Sequence, residues 1–470
     1  MDDVTADVVI VGGGMAGLVA GARASELGLA VVVLEQGTEA HYPCNTRWSG
    51  GVLHVAYRDI LSHQESLLDA IRLAGDGSAD TAQAGTVAAN GRRFIDWLRM
   101  HGTTFVQTDV EWQQLILEPM RHIRGGLDWK DRGPDQLLGR LTRAIERSGG
   151  RLVLGARARQ LIMQGDRCRG VEAERDGRQC RFYGAAVVLG DGGFQANLDL
   201  LGRHIAAQPE QVKQRGAATS FGDGLAMAEA VGARITALDA FYGHLISRDA
   251  FGNDNVWPYP EIDALACAGV LVDRGARRFT DEGRGGIIMA NVLAGHDDPL
   301  GATIILDAAI WNGPGRSARI PANPALSDAG GTVWAADTIE ALAGLAGLPA
   351  EPLVASVAAY NDALAAGTLE QLHPPRTTDK HRAMPIAEPP FHAVPACAGI
   401  TYTMGGVLVD GASRVVSAND GVVPGLFAAG AITGGLEGGA GVAYVGGLAK
   451  AGIQGMVAAE TIAQARGRPK

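Results

Sequence analysis

Residues 6–35 constrain the fold more than any other stretch of the 470-residue chain. Ala6–Val11 is a short, continuous apolar run rich in β-branched residues, which reads as a buried parallel strand. Gly12-Gly13-Gly14-Met15-Ala16-Gly17 follows, a G-x-G-x-x-G turn. Leu18–Gly28 has helix composition and closes on a glycine, and Ala30–Leu34 is a second buried strand that ends at Glu35. Gly12 permits the tight turn, Gly14 admits a pyrophosphate to the backbone, and Gly17 lets the helix pack close. The helix N-terminus offers N–H groups and a positive dipole end to the phosphates. A carboxylate at the end of the second strand can accept both ribose hydroxyls. All five parts occur in order in one unit, so the segment predicts a dinucleotide site.

Two later segments favour FAD over NAD. Ala185–Leu189 runs into Gly190-Asp191-Gly192-Gly193, and Gly425-Leu426-Phe427-Ala428-Ala429-Gly430 lies near the C-terminus. Both are similar to the distant strands that return to complete an FAD-binding domain of the glutathione-reductase type. A simple NAD-binding domain needs no such return.

Composition narrows the class. With 51 acidic against 41 basic residues, the net charge of −10 disfavours nucleic acid and anionic membranes as partners. The 66 glycines have no collagen period and point to turns and to backbone pressed against a ligand. The five cysteines form no C-x-x-C pair, which argues against a metal, an iron–sulfur cluster or a disulfide framework. The acidic N-terminus lacks signal-peptide features, and no apolar run suits a membrane span, so a cytoplasmic protein is expected. Residues 421–450 come nearest, but their glycines, a proline and Glu437 read as loops and turns around a ligand. The basic tail Arg466–Lys470 reads as a frayed end.

Beyond these features the chain resembles the fumarate reductase/succinate dehydrogenase flavoprotein superfamily. The matching pieces are Val11–Gly17 with Glu35, Asn45–Gly51, Val187–Phe194, Gly222-Asp223-Gly224, Arg278–Glu282, Thr403-Met404-Gly405-Gly406 and Gly425–Gly430. Its length resembles that of the stand-alone branch with tricarballylate dehydrogenase and the 3-ketosteroid Δ1-dehydrogenases. The resemblance implies an α/β fold: a Rossmann-like FAD-binding domain with an inserted α+β cap. The FAD-binding domain is expected over 1–235 and 400–470, with the cap over 236–399. Within the cap, Asp337–Leu345 and Leu353–Leu364 read as helices. The expected FAD contacts are Gly12, Gly14, Met15, Ala16, Gly17, Glu35, Gln36, Thr46, Ser49, Gly50, Gly51, Ala158, Gly192, Gly193, Asp223, Gly405, Gly406, Gly430 and Val445. Asn45 stands where some members carry a histidine that binds FAD covalently, so a non-covalent cofactor is expected, with Cys44 as the adjacent thiol. No metal is expected.

In this superfamily substrate lies between cap and flavin, hydride passes between flavin and one carbon, and a side chain exchanges a proton at the next. The fumarate reductases use a cap arginine shortly after an R-F-x-x-E segment; here Arg284 is the candidate, with Glu282 as a relay. Two family groups that read dicarboxylates are replaced, a histidine by Thr401 and an arginine by Tyr444. Aromatic and hydroxylic residues stand near them: Tyr402, Tyr444, and Phe241-Tyr242-Gly243-His244. Ketosteroid-type desaturases use such tyrosines to polarise a carbonyl and remove a proton. Trp257-Pro258-Tyr259-Pro260 is a candidate pocket wall, and Glu437 a candidate substrate-binding group or base.

The resulting expectation is an FAD-dependent oxidoreductase acting on a CH–CH bond beside a carbonyl or carboxylate, handing electrons to a quinone or an iron–sulfur or membrane partner. Arg248, Arg277, Arg278 and Arg284 keep acidic substrates open. An ene-reductase, an amine or amino-acid oxidase and a non-catalytic FAD-binding electron-transfer subunit remain alternatives.

Overall fold

The computed structural model describes residues 3–317 and 319–468. Two six-stranded sheets organise it. In the first, the strands run in the order Arg414–Val416, Val422–Ala428, Ala186–Leu189, Val8–Val11, Val31–Glu35, Arg151–Leu154. All neighbours are parallel except the first pair. The continuous apolar runs in the sequence have their cause here. Val8–Val11, Val31–Glu35 and Ala186–Leu189 are buried along their whole length, because helices or a second sheet cover both faces.

On one face Met15–Glu26 packs against Gly447–Ala465. The approach is backbone-close: a Cβ on Gly455 would overlap the Ala16 carbonyl, and one on Gly452 the Phe94 ring. The other face carries an antiparallel sheet of Arg157–Gln164, Arg167–Arg175 and Arg178–Tyr183, with Val4–Thr5 at its edge.

The second sheet is built on one long strand, Phe391–Met404, buried over nearly all its length. It pairs with Ala240–Ser247, Thr303–Leu306, Trp334–Ala336 and Lys213–Gln214. Val270–Val272 extends the sheet beyond Thr303–Leu306. Strand Phe391–Met404 runs through residue 400 without interruption, and Met404 still pairs with Ala240. Lys213–Gln214, from the segment expected to precede the cap, joins the same sheet.

The two expected cap helices form as Ile339–Ala346 and Ala350–Ala366. Thr338 is the N-cap of the first, its hydroxyl accepting from the Ala341 N–H at 3.2 Å. Among the described residues no helix is long and apolar enough to cross a membrane. Within 421–450 lie the strand Val422–Ala428 and the start of the last helix, with turns between them. Pro469 and Lys470 of the basic tail lie outside the described residues.

Candidate active site

A cavity of about 550 Å³ runs from the glycine turn to the cap. At its nucleotide end, Gly12 has φ +98° and no room for a side chain against the Gly190 carbonyl. A Cβ on Gly17 would overlap the Gly12 carbonyl, so that glycine packs the helix onto the turn and does not line the cavity. Glu35 braces the turn directly: one oxygen accepts from Gly13 N–H at 2.8 Å, the other from Gly37 N–H at 2.7 Å. Burial raises its pKa, and these N–H groups oppose the rise. Thr46 Oγ1 accepts from Met15 N–H at 3.0 Å and fixes the helix start. Gln36 donates to the Thr219 carbonyl.

The cavity fits FAD. A Cβ at Gly14 would meet only Thr46 Oγ1, at 3.5 Å, and one at Gly50 only the Tyr259 hydroxyl, at 3.9 Å. Both glycines line the cavity, so the space in front of them is open for a ligand. The Asp191 Oδ1 and Trp48 Nε1 atoms on the wall are buried without a partner, which a ligand's polar edge can remedy. Gly12, Gly14, Met15, Ala16, Glu35, Gln36, Thr46, Ser49, Gly50, Gly51, Ala158, Gly192, Asp223 and Gly430 all line this space.

Four more of the expected contacts lie off it, for packing reasons. Gly193 is pressed against Thr403, whose hydroxyl accepts from Phe194 N–H at 3.0 Å. Gly405 and Gly406 have positive φ and abut the Ala237 and Ile432 carbonyls. Val445 is buried in the core. Cys44 lines the cavity, and burial pushes its thiol up to about 11, so it stays protonated. Asn45 is held between Thr401 and Ala217, donating to the first and accepting from the second.

Beyond Gly50 and Gly51 the wall becomes aromatic. Tyr242 stacks on Tyr444 with ring centres 4.0 Å apart and tilts against Tyr402 at 5.3 Å. Tyr57, His54 and Trp112 close the cluster behind Tyr444. Burial raises all four phenols well above the ordinary tyrosine value. The same burial pushes His54 down to about 4, so its imidazole is neutral.

Tyr242 and His244 are neighbours on one strand, and their side chains meet: His244 Nε2 lies 2.9 Å from the Tyr242 hydroxyl. His244 Nδ1 lies 2.5 Å from Asp263 Oδ2, and Asp263 Oδ1 accepts from Leu245 N–H at 2.8 Å. The carboxylate fixes the tautomer, leaving Nε2 to accept from Tyr242. Gly286 touches Asp263 so closely that any side chain there would overlap the carboxylate.

The structure does not bring Arg284 or Glu437 to the cavity. Arg284 closes a short 3-10 turn capped by Asp281; it is exposed and donates to the Ala440 carbonyl at 3.3 Å. Glu282, its expected relay, is fully buried and pairs with Arg278 at 2.6 Å. Glu437 is consumed inside the protein. It accepts from Tyr402 at 3.1 Å, from Val445 N–H at 2.9 Å and from Gly446 N–H at 3.2 Å, and pairs with Lys450 at 2.6 Å. The hydroxyl proton of Tyr402 is thereby committed to Glu437, although the ring lines the cavity.

Four arginines outside the expected set are on the wall instead: Arg157, paired with Asp223 at 2.6 Å, and Arg121, Arg215 and Arg319. Arg215 pairs with Glu261 and donates to Thr401 Oγ1 at 2.9 Å and to the Pro258 carbonyl at 3.1 Å. Thr401, the stand-in for the family histidine, thus serves as an anchor for this guanidinium. No local signal marks these arginines; the pocket segment at Trp257–Pro260 was the one pointer, since Tyr259 lies under Arg121 and Arg215.

With this geometry established, the family follows. The family model described as "FAD binding domain" matches residues 7–443, and the chain belongs to that flavoprotein family of fumarate reductases and succinate dehydrogenases. It is 24% identical over 370 residues to the NADH:acrylate oxidoreductase of Vibrio harveyi, covering 75% of this chain but only 34% of that protein. It is 25% identical over 521 residues to the 4-oxocyclohexanecarboxylate 2-dehydrogenase of Sinomonas cyclohexanicum, covering 91% and 88%. The fold matches the 3-ketosteroid Δ1-dehydrogenase of Sterolibacterium denitrificans with a TM-score of 0.74 at 20% identity, over 98% of this chain and all of that one. The homologues of this chain are FAD-dependent CH–CH oxidoreductases.

Proposed function

We propose that this chain dehydrogenates a C–C bond next to a carbonyl group, with non-covalent FAD. The observation that carries the reading is the chain Tyr242–His244–Asp263 opening onto the aromatic end of the cavity. FAD, when bound, supplies the acceptor for the hydride. Tyr242 removes the proton from the neighbouring carbon as its own hydroxyl proton passes to His244 Nε2, and Asp263 holds the resulting imidazolium. Charge therefore never rests on a buried phenolate, which the raised phenol pKa values disfavour. Tyr444, stacked on Tyr242, donates to the substrate carbonyl and stabilises the charge that develops there. Tyr402, whose proton Glu437 holds, serves as wall and support. In the reverse direction the same path delivers the proton. The electrons leave to a separate acceptor, a quinone or an iron–sulfur or membrane partner.

The test is anaerobic mixing of the FAD-loaded protein with 4-oxocyclohexanecarboxylate, ketosteroids, succinate, tricarballylate and amino acids. The flavin band near ~450 nm bleaches when hydride is taken up. Bleaching by a carbonyl compound is the expected result. Bleaching by amino acids alone, with peroxide on admitting O2, would replace this reading with an oxidase. Bleaching by dithionite but by no organic donor, followed by reoxidation with an enone, would reverse the direction.

A further inference from the structure

At the cap end of the cavity the charges do not balance. Arg215 is neutralised by Glu261, and Asp263 hydrogen-bonds the neutral His244, so three guanidinium groups stand against two carboxylates. Arg121 and Arg319 are left over: among the described residues no carboxylate lies within ion-pair distance of either. Arg121 is 6% exposed, packs over the Tyr259 ring at 3.8 Å, and spends one N–H on the Gly126 carbonyl at 2.8 Å. Its Nε is buried without a partner, as is Nη2 of Arg319. Each guanidinium thus keeps a buried donor that no protein group satisfies, which is costly for a charged group. Burial and the charge of Arg121 both lower the Arg319 pKa, the sign of two cations sharing a site.

We propose that Arg121 and Arg319 form a carboxylate subsite, so that the substrate is an oxo acid: its carbonyl at Tyr444, its carboxylate between these two arginines. This deepens the proposed function and rests on it for the position of the reacting carbon. A planar carboxylate matches the guanidinium fork, satisfies both orphan donors and cancels the excess charge. The hydroxyl of Tyr259 reaches toward Gly50 while its ring lies under Arg121, so one side chain spans the two ends of the substrate space. The subsite uses residues other than Thr401 and Tyr444, the expected counterparts of the groups with which relatives read dicarboxylates.

The experiment is calorimetric titration of the FAD-loaded protein with cyclohexanecarboxylate and with its neutral isostere cyclohexanecarboxamide. The acid is expected to bind at least about tenfold more tightly, the equivalent of one charged hydrogen bond. Arg319→Gln and Arg121→Lys are each expected to erase most of that preference while leaving FAD content and carboxamide binding unchanged. Equal binding of acid and amide by the wild type overturns the proposal, as does an acid preference that survives both substitutions. Should one variant fail to retain FAD, the other still decides. The anaerobic mixing described above separates the two ideas. Hydride uptake from neutral ketones without acid preference sinks the subsite alone. Acid preference without hydride exchange from any compound sinks the dehydrogenase reading and leaves the subsite standing.

Discussion

His244 Nδ1 stands 2.5 Å from the Asp263 carboxylate, and only a glycine at position 286 leaves room for that carboxylate. His244 lines the cavity and Asp263 stands behind it. Asp263→Asn keeps the shape and removes the charge. The expected outcome is a fall of about 10²-fold in the rate of flavin reduction, the usual scale of a lost acid–base contribution. FAD content should not change. Rapid-mixing absorbance measures it; a rate within twofold of wild type would remove Asp263 from the proton path.

Tyr242→Phe and Tyr444→Phe retain the stacked rings and delete the hydroxyls. Each is expected to slow flavin reduction by about 10²-fold or more. Arg284→Ala, on the exposed turn, is expected to leave the rate unchanged. A large loss in Arg284→Ala would return the proton to the cap arginine.

Lys450 and Glu437 are both buried, and their ion pair lies behind Tyr402. Lys450→Met strands a carboxylate and is expected to destabilise the protein by about 3–5 kcal/mol. The double variant Lys450→Met/Glu437→Gln should recover part of this loss. Urea denaturation of the wild type, Lys450→Met, Glu437→Gln and the double variant gives the coupling directly; additive effects would show that the pair contributes nothing as a pair.

Burial raises the Asp191 pKa to about 7, despite a hydrogen bond from Gly224 N–H at 2.8 Å. A raised pKa means that folding favours the protonated form. The advantage is complete below the unfolded-state value of about 4 and is lost as pH rises through about 7. Asp191→Asn should therefore raise the melting temperature of the FAD-free protein increasingly between pH 4 and 7, and by a constant amount above. A benefit that is flat across that window would place the ionisation elsewhere.

The nucleotide end was legible because its logic is local. Gly12, Gly14, Gly17 and Glu35 lie within one strand–turn–helix–strand unit: backbone sterics dictate Gly12 and Gly17, Gly14 faces open cavity, and Glu35 accepts from the N–H groups of Gly13 and Gly37. The tyrosines were legible too, since Tyr242 and His244 are adjacent on one face of a strand that carries Tyr402 opposite. The arginines were not. Sequence proximity to a motif drew attention to Arg248, Arg277, Arg278 and Arg284, none of which lines the cavity. Arg278 is tied to Glu282, and Arg248 to the Leu300 carbonyl. Arg121, Arg215 and Arg319 come from three distant segments, and only tertiary packing around Tyr259 brings them together.

The central sheet places Ala186–Leu189 between Val8–Val11 and Val422–Ala428, a strand from the far end of the chain. On the ribosome this strand must wait, with one edge bare, until Val422–Ala428 has emerged. A bare apolar edge invites pairing with other chains. Synthesis of this protein thus carries an aggregation hazard that the finished fold conceals, and slower elongation before Val422 prolongs it.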